Sequence, residues 1–333
     1  MQETSRDQKT AAPSEHRLSA RVYGPVPSRR LGRSLGVDLV PFKTCSYDCV
    51  YCQLGPTTKL TAERAPFFPV QGLLHEVIAR AKASKPDFIT LAGSGEPTLY
   101  LGLGELVEGI KAATDIPIAL LTNGALFKEE QIRRDAALCD LVIPSLDAGD
   151  EDFFQWVNRP VKGLTLEEVA EGLVLFRESY RKPIWLEVMV IQGMTEQPKR
   201  LREIAKRAKR FKPDKIQLNT PIRPSSRDFV FPLGLERLEQ LCSFFEPRAE
   251  VIAEPPRPVK REPVAPDEAA PVLEMLWRRP CTLEDICAGL GTSAPGTLKV
   301  LEALVREGKA RGLFRQGRYF FDAARGEPKG QVP

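Results

Sequence analysis

Histidine is almost missing from this sequence: 333 residues hold only His16 and His75. A structural zinc normally takes four cysteine or histidine ligands, so a zinc reading would rest on cysteines that are mostly far apart. Long apolar runs are missing as well. Nothing approaches the roughly 20 residues of a membrane span, and a cytoplasmic enzyme is the expected class. Charge of one sign is also in short supply, with 48 basic residues against 44 acidic ones. That balance supports solubility and tolerates a nucleic-acid partner without demanding one. No cysteine precedes Cys45, and the total of seven is odd. With no signal peptide expected, a disulfide framework is the reading these cysteines support least.

What is present is concentrated between Gly36 and Cys52, GVDLVPFKTCSYDCVYC. A short apolar strand runs into Cys45, Cys49 and Cys52, spaced C-x3-C-x2-C. Thiolate is the soft ligand that iron–sulfur clusters require. Three ligands cannot complete a four-iron cube, so one iron stays open for a substrate or cofactor. A reactive cluster needs that opening, and a purely electron-carrying one avoids it. Cys139, Cys242, Cys281 and Cys287 lie far off in sequence and read as small buried hydrophobes.

From Gly36 onward strand and helix patterns alternate. Short β-branched runs fall at 36–40, 87–92, 116–122, 140–145, 184–191 and 214–219, with helix-period segments near 70–83, 102–113, 128–138, 165–179 and 196–210. Strands joined by helical crossovers imply a parallel sheet. An eight-stranded barrel would need two more units than the sequence offers, so the expected fold class is α/β, a partial (β/α)6 barrel over residues 21–254.

Functional groups then belong just past the C-terminal ends of the strands. Ala92-Gly93-Ser94-Gly95-Glu96-Pro97-Thr98 follows the second strand; its glycines let backbone approach a ligand closely, and Glu96 offers a carboxylate to an ammonium group. Leu121-Thr122-Asn123-Gly124 ends the third strand and Pro144-Ser145-Leu146-Asp147 the fourth, which puts Asn123, Ser145 and Asp147 on the same rim. Asn-Gly and Ser-x-Asp are also ordinary turn and cap chemistry. Glu187 on the fifth strand, and Gln217 with Asn219 on the sixth, are polar positions in apolar strands. Facing the lumen they bind a ligand; facing outward they bond a crossover helix.

The cysteine motif with Tyr51 before its last member resembles the radical S-adenosylmethionine (SAM) superfamily. Tyr23 to Gly55, YGPVPSRRLGRSLGVDLVPFKTCSYDCVYCQLG, resembles the iron–sulfur oxidoreductases related to the wyosine-forming tRNA enzymes, and the likeness continues more diffusely to about residue 254. The resemblance implies a [4Fe-4S] cluster on Cys45, Cys49 and Cys52, with SAM chelating the fourth iron. It also implies that Gly93, Gly95 and Glu96 bind the SAM amino group, and that Tyr51, Asn123, Ser145, Asp147 and Glu187 stand around SAM or substrate. Reductive cleavage of SAM to a 5′-deoxyadenosyl radical and an electron donor such as flavodoxin or ferredoxin follow from the same likeness. The wyosine-forming enzymes carry a second cluster on upstream cysteines, which this chain lacks. The shared segments therefore point to the radical chemistry and not to that substrate.

Residues 1–20 are polar and aperiodic, and a disordered arm is expected there. Arg29, Arg30 and Arg33 precede the first strand, either touching an anionic substrate or the SAM carboxylate, or forming a solvated basic turn. Phe153, Phe154 and Trp156 fall in a loop after the fourth strand, as a plug of the barrel edge or a platform for a base. The crossover at 196–215 carries a basic stripe that suits solvent or a phosphate backbone. A proline-rich linker over 255–265 leads to a second domain, 266–325. Its helices near 267–279, 282–289 and 294–307, and a hairpin around Gln316-Gly317, resemble a winged-helix module. The third helix is expected to expose Thr297, Lys299 and Glu302, and Arg311, Arg315 and Arg318 of the wing to grip phosphates.

Two functions fit. One is a radical SAM enzyme whose winged domain docks an RNA or, alternatively, a protein substrate. The other is an iron–sulfur redox-sensing transcription regulator that binds DNA through that domain. The glycine-rich loop with Glu96 favours the enzyme, since a sensor needs no SAM pocket.

Overall fold

A computed structural model describes residues 21–252 and 269–324. The expected arm and the proline-rich linker lie outside the described residues. No strand is expected before Gly36, yet the chain opens with a hairpin. β1 (Val22–Ser28) runs antiparallel to β2 (Gly32–Val37), with Val22 opposite Val37 and Ser28 opposite Gly32. The first parallel strand thus begins at Gly32 rather than Gly36, because Asp38 leaves the ladder to accept hydrogen bonds from Ser94 and Pro41 ends the apolar run. Arg29 and Arg30 therefore sit in the turn of a hairpin instead of a lead-in loop.

β3 (Thr44–Cys45) and β4 (Lys59–Leu60) form a short parallel pair that closes the cysteine loop. There follow α1 (Val70–Ser84), β5 (Phe88–Leu91), α2 (Leu103–Ala113), β6 (Ile118–Thr122), α3 (Glu130–Ala137), β7 (Leu141–Pro144), α4 (Glu151–Val157) and α5 (Leu166–Ser179). β8 (Trp185–Met189), α6 (Pro198–Phe211), β9 (Lys215–Asn219), α7 (Leu235–Leu241) and β10 (Glu250–Val251) come next. β2, β5, β6 and β7 lie side by side and parallel, as do β8, β9 and β10. Bridges from Val142 to Ile184 and from Ser145 to Glu187 carry the parallel register from β7 to β8. Strands covered on both faces read as continuous apolar runs; Leu120, Val142, Leu186 and Leu218 are fully buried.

The helices pack outside this wall. α5 opens with a capping box, in which the Thr165 hydroxyl accepts from the Glu168 amide and the Glu168 carboxylate accepts from Thr165. The basic stripe lies on α6, where Arg207 and Arg210 both pair with Glu167 of α5. The aromatic segment after β7 is the helix α4 and not a loop: the Asp150 side chain caps it by accepting from the Phe153 amide. Phe153 and Phe154 are buried by it, and Phe153 stacks on Trp156.

The C-terminal unit consists of α8 (Ala269–Arg278), α9 (Leu283–Leu290), α10 (Ala294–Arg306) and the antiparallel pair β11 (Ala310–Arg315) and β12 (Arg318–Ala323). Val272, Leu276, Ile286, Leu301 and Leu304 form its core. Gln316 and Gly317 both take positive φ at the tip, the conformation a two-residue hairpin turn demands. α9 packs on β1, the Arg278 guanidinium lies 4.1 Å from the centre of the Tyr23 ring, and Arg223, after β9, meets Asp285 of α9 at 3.6 Å. The unit therefore touches the hairpin strand β1 and the segment that follows β9. Thr297 is not exposed but fully buried, bonded to Thr292 at 2.7 Å, because its hydroxyl ties the turn before α10 to the helix. Two wing arginines are engaged as well, Arg311 with Asp322 at 3.3 Å and Arg315 with Asp228 at 2.9 Å.

Candidate functional site

Past the end of β2 the chain turns through Asp38 to Phe42, and Lys43 takes the left-handed conformation, φ 56°. Its ammonium comes to 3.2 Å from Cys52 Sγ. All seven cysteines are free, and Cys45, Cys49 and Cys52 line one cavity of about 440 Å³. The other two thiols also have a nitrogen beside them, Asn123 Nδ2 at 3.7 Å from Cys45 Sγ and Asn158 Nδ2 at 3.5 Å from Cys49 Sγ. Burial pushes the Cys45 thiol up to about 12 and raises that of Cys49 as well. A metal that binds here must displace those protons.

The glycine-rich loop follows β5 and packs directly on the cysteine strand. Lys43 donates to the Ser94 carbonyl at 2.6 Å, and Glu96 to the Thr44 carbonyl at 3.1 Å, so backbone bonds lace the two segments together. A side chain at Gly93 would collide with the Asp38 carboxylate, and one at Gly95 with the Thr44 carbonyl oxygen. Glu96 is buried and caps the single turn Pro97–Leu99. It accepts from the Thr98 hydroxyl at 2.7 Å, the Thr122 hydroxyl at 2.6 Å and the Asn123 amide at 2.8 Å. Burial pushes its carboxyl up, so an ammonium ligand arriving in the cavity restores the charge.

Asn123 bonds Ser46 at 2.8 Å and thereby fixes the start of the cysteine turn. Asp147 accepts from the Tyr51 hydroxyl, from Asn158 at 2.9 Å and from the Met189 amide at 2.9 Å. Burial raises its carboxyl to about 6. Tyr51 and Asp147 are thus each other's partner behind the cysteines, and Ser145 lines the cavity beside them.

Glu187, Gln217 and Asn219 are turned toward the hairpin arginines inside the wall. Arg30 ion-pairs with Glu187 and donates to Gln217 at 3.0 Å, while Arg29 donates to Asn219 at 2.8 Å. Glu187 is therefore committed to Arg30. Arg33 points away, to the carbonyls of Ser84 and Lys85. Sequence reasoning missed Asp38, Lys43, Asn158, Arg223, Arg278 and Arg279. The pair Arg278-Arg279 before Pro280, closing an apolar helix, was the one local signal that two charges had work inside the fold.

The family model of the Radical SAM superfamily matches residues 39–212, from the cysteine loop through α6. A UPF0026 protein of Methanocaldococcus jannaschii is 38% identical over 226 residues, 67% of this chain and 70% of that protein. The chain belongs to the radical SAM superfamily, among its UPF0026 proteins. This radical SAM protein is also 36% identical over 297 residues to a protein named GTPase Obg in Brachyspira hyodysenteriae; the match takes in 87% of the chain but 43% of the relative, so the chain spans less than half of that protein. A radical SAM methyltransferase from Sphaerobacter thermophilus shares the fold with a TM-score of 0.51 at 15% identity, over 66% of this chain and 65% of that one.

The cofactors of radical SAM proteins, and of this one, are a [4Fe-4S] cluster and SAM. The residues present fit both. Among the described residues no three His, Cys, Asp or Glu side chains converge on a single ion. A cubane takes each thiolate on a different iron, so its sulfurs must stand apart around a shared space. Beside them the buried Tyr47 hydroxyl has no hydrogen-bond partner among the described residues and lines the same cavity. The glycines let the loop that carries Glu96 pack against Asp38 and Thr44, beside the cysteine strand. No helix among the described residues is long and apolar enough to cross a membrane.

Proposed function

We propose that this protein is a radical SAM enzyme that cleaves SAM reductively and turns the resulting radical on a substrate held in the cavity. One observation carries the reading: the anchored Glu96 carboxylate and the three free thiols open on the same space, on segments laced together by backbone hydrogen bonds. A [4Fe-4S] cluster held there would, when reduced by a donor such as flavodoxin or ferredoxin, supply the electron for cleavage of SAM to methionine and a 5′-deoxyadenosyl radical. The chain's own residues do the holding and shielding. Cys45, Cys49 and Cys52 bind the irons. Asn123, Asn158 and Lys43 donate toward the sulfurs and stabilise thiolate charge. Glu96, backed by Thr98, Thr122 and Asn123, takes the SAM ammonium, and Asp147 fixes Tyr51 against the cysteine turn.

The wall of β2, β5, β6, β7, β8 and β9 is read as a partial (β/α)6 barrel, residues 21–254. The unit within 266–325 is read as a winged-helix-like domain from the order of its elements. Docking of RNA or of a protein through that domain is the finer expectation. The ion pairs of Arg311 and Arg315 and the buried Thr297 lend it little support.

The test is anaerobic reconstitution followed by reduction with SAM present and chromatography of the products. 5′-Deoxyadenosine and methionine are expected. A complete cluster without cleavage would sink the enzyme reading and favour a redox-sensing regulator. Glu96→Gln removes the charge while keeping the side-chain shape, and should weaken SAM binding about 10- to 100-fold, the worth of one charged hydrogen bond. Equilibrium dialysis with labelled SAM reads this directly, and an unchanged affinity would remove Glu96 from the SAM site.

A further inference from the structure

The cavity holds more positive charge than SAM cleavage uses. Six of the side chains lining it are basic and two are acidic. Arg30 is matched by Glu187 and Arg278 by Asp38 at 3.4 Å, and Lys43 stands 3.2 Å from Cys52 Sγ, which would match it as a thiolate once it held the cluster. Arg29, Arg223 and Arg279 are left. Among the described residues Arg29 donates only to neutral oxygens, the Asn219 side chain and the Ile252 carbonyl. Among the described residues no carboxylate lies within ion-pairing distance of Arg29 or Arg279. Arg223 meets Asp285 at 3.6 Å, but its side chain is only 8% exposed and its Nε has no hydrogen-bond partner among the described residues.

Three largely buried guanidiniums facing one carboxylate leave an excess of about two positive charges along one cavity wall. Burying charge without a counter-charge is strongly unfavourable. Burial lowers Arg29 to about 10 and Arg223 to about 10 and the neighbouring Arg279 pushes both the same way, while Glu187 opposes the shift of Arg29 and Asp285 that of both; Arg279, despite its burial, is raised by Cys281 and Asp285. The three come from three places, the turn between β1 and β2, the segment after β9 and the end of α8. None is near another in sequence, and Arg279 reaches the cavity only because the C-terminal unit is seated on the wall.

We propose that Arg29, Arg223 and Arg279 bind the phosphoryl group of a small phosphomonoester substrate. This rests on the enzyme reading above and names its substrate class. A phosphomonoester carries close to two negative charges at neutral pH and offers three acceptor oxygens, which matches both the excess charge and the forked donors of guanidinium. A carboxylate would neutralise only one of the charges. The SAM carboxylate is a poor match for a second reason. Its amino-acid end is drawn to the cysteine loop, which follows β2, whereas the turn that carries Arg29 precedes β2.

The test uses the full chain, loaded with cluster and saturated with SAM, in calorimetric titrations at fixed ionic strength. Glycerol 3-phosphate is the phosphomonoester probe and succinate the dicarboxylate control. One glycerol 3-phosphate should bind per chain without displacing SAM. Arg279→Gln and Arg223→Gln should each weaken it at least about tenfold, the loss expected for a charged hydrogen bond. Arg279→Lys, which keeps the charge without the fork, should recover part of the affinity, and it replaces Arg279→Gln should that variant not fold. The absence of saturable phosphate binding, equal affinity for succinate, displacement of SAM by the phosphate, or variants that lose SAM instead of phosphate would each overturn the proposal. Because binding is read without turnover, a failure of SAM cleavage bears on the enzyme reading alone.

Discussion

Cys49→Ala protein, reconstituted anaerobically with iron and sulfide, is expected to hold no stable [4Fe-4S] cluster and to release no 5′-deoxyadenosine. On the proposed assignment the cluster has only three protein ligands to begin with. Removing one would open a second iron to solvent and leave the cluster on two thiols, Cys45 and Cys52. The loss should be specific to the metal. Cys49 is only part-buried, and its nearest polar neighbours, Asn158 and Tyr51, keep Asp147 as a partner. Thermal unfolding of the apo-protein should therefore shift little, by the amount of an ordinary small substitution, about 1 kcal/mol. Cys242→Ala is the control. Its buried thiol meets only the Leu238 carbonyl, at 3.4 Å, and does not line the cavity, so this variant should bind iron and sulfide like the wild type. Iron and sulfide per chain, the visible absorption and chromatography of the nucleoside make the comparison. A full complement of iron and sulfide in Cys49→Ala would show that the triad is not the ligand set.

The parts of this fold that were legible in the sequence are those whose signal is local. Parallel strands covered on both faces leave continuous apolar runs, so β5 to β9 stand almost where the pattern puts them, and the parallel order then places Gly93 to Glu96, Asn123 and Asp147 at strand ends. β1 was hidden because VYGPVPS contains a glycine and two prolines, which a hydrogen-bonded central strand rejects but an edge strand tolerates. α4 was hidden because its aromatics outweigh its cap; Asp150 four residues before Phe154 was the overlooked mark of a helix start. The direction in which Glu187 faces was not legible at all, since a single polar position in an apolar strand serves either face. What decides it is Arg30, on a turn 157 positions away along the chain. The same holds for Arg223 and Arg279, which meet only through the seating of one domain on another.

Gly95→Ala should have the largest effect outside the cysteines, and the reason is purely steric. Gly95 has no positive φ to defend. An added methyl would overlap the Thr44 carbonyl oxygen, with Thr44 C at 2.9 Å and Val40 Cγ2 at 2.8 Å. Backbone cannot rotate out of the way as a side chain does. Thr44 is moreover held by the bond from the Glu96 amide at 3.1 Å, and it is the residue directly before Cys45. The methyl must therefore drive Glu96, the proposed partner of the SAM ammonium, away from the strand that carries Cys45, a proposed cluster ligand. Overpacking of this kind costs about 1–3 kcal/mol, which lowers the thermal midpoint by several degrees, and SAM affinity should fall at least about tenfold even in protein that remains folded. Gly72→Ala is the matched control, because nothing lies within 4 Å of its added methyl and it sits inside α1, where alanine is the better helix former by up to about 1 kcal/mol. That variant should be slightly more stable and bind SAM normally. If Gly95→Ala bound both cluster and SAM like the wild type, the lacing of the glycine loop to the cysteine strand would be packing alone, and the site would have to tolerate a separation that its backbone hydrogen bonds do not allow.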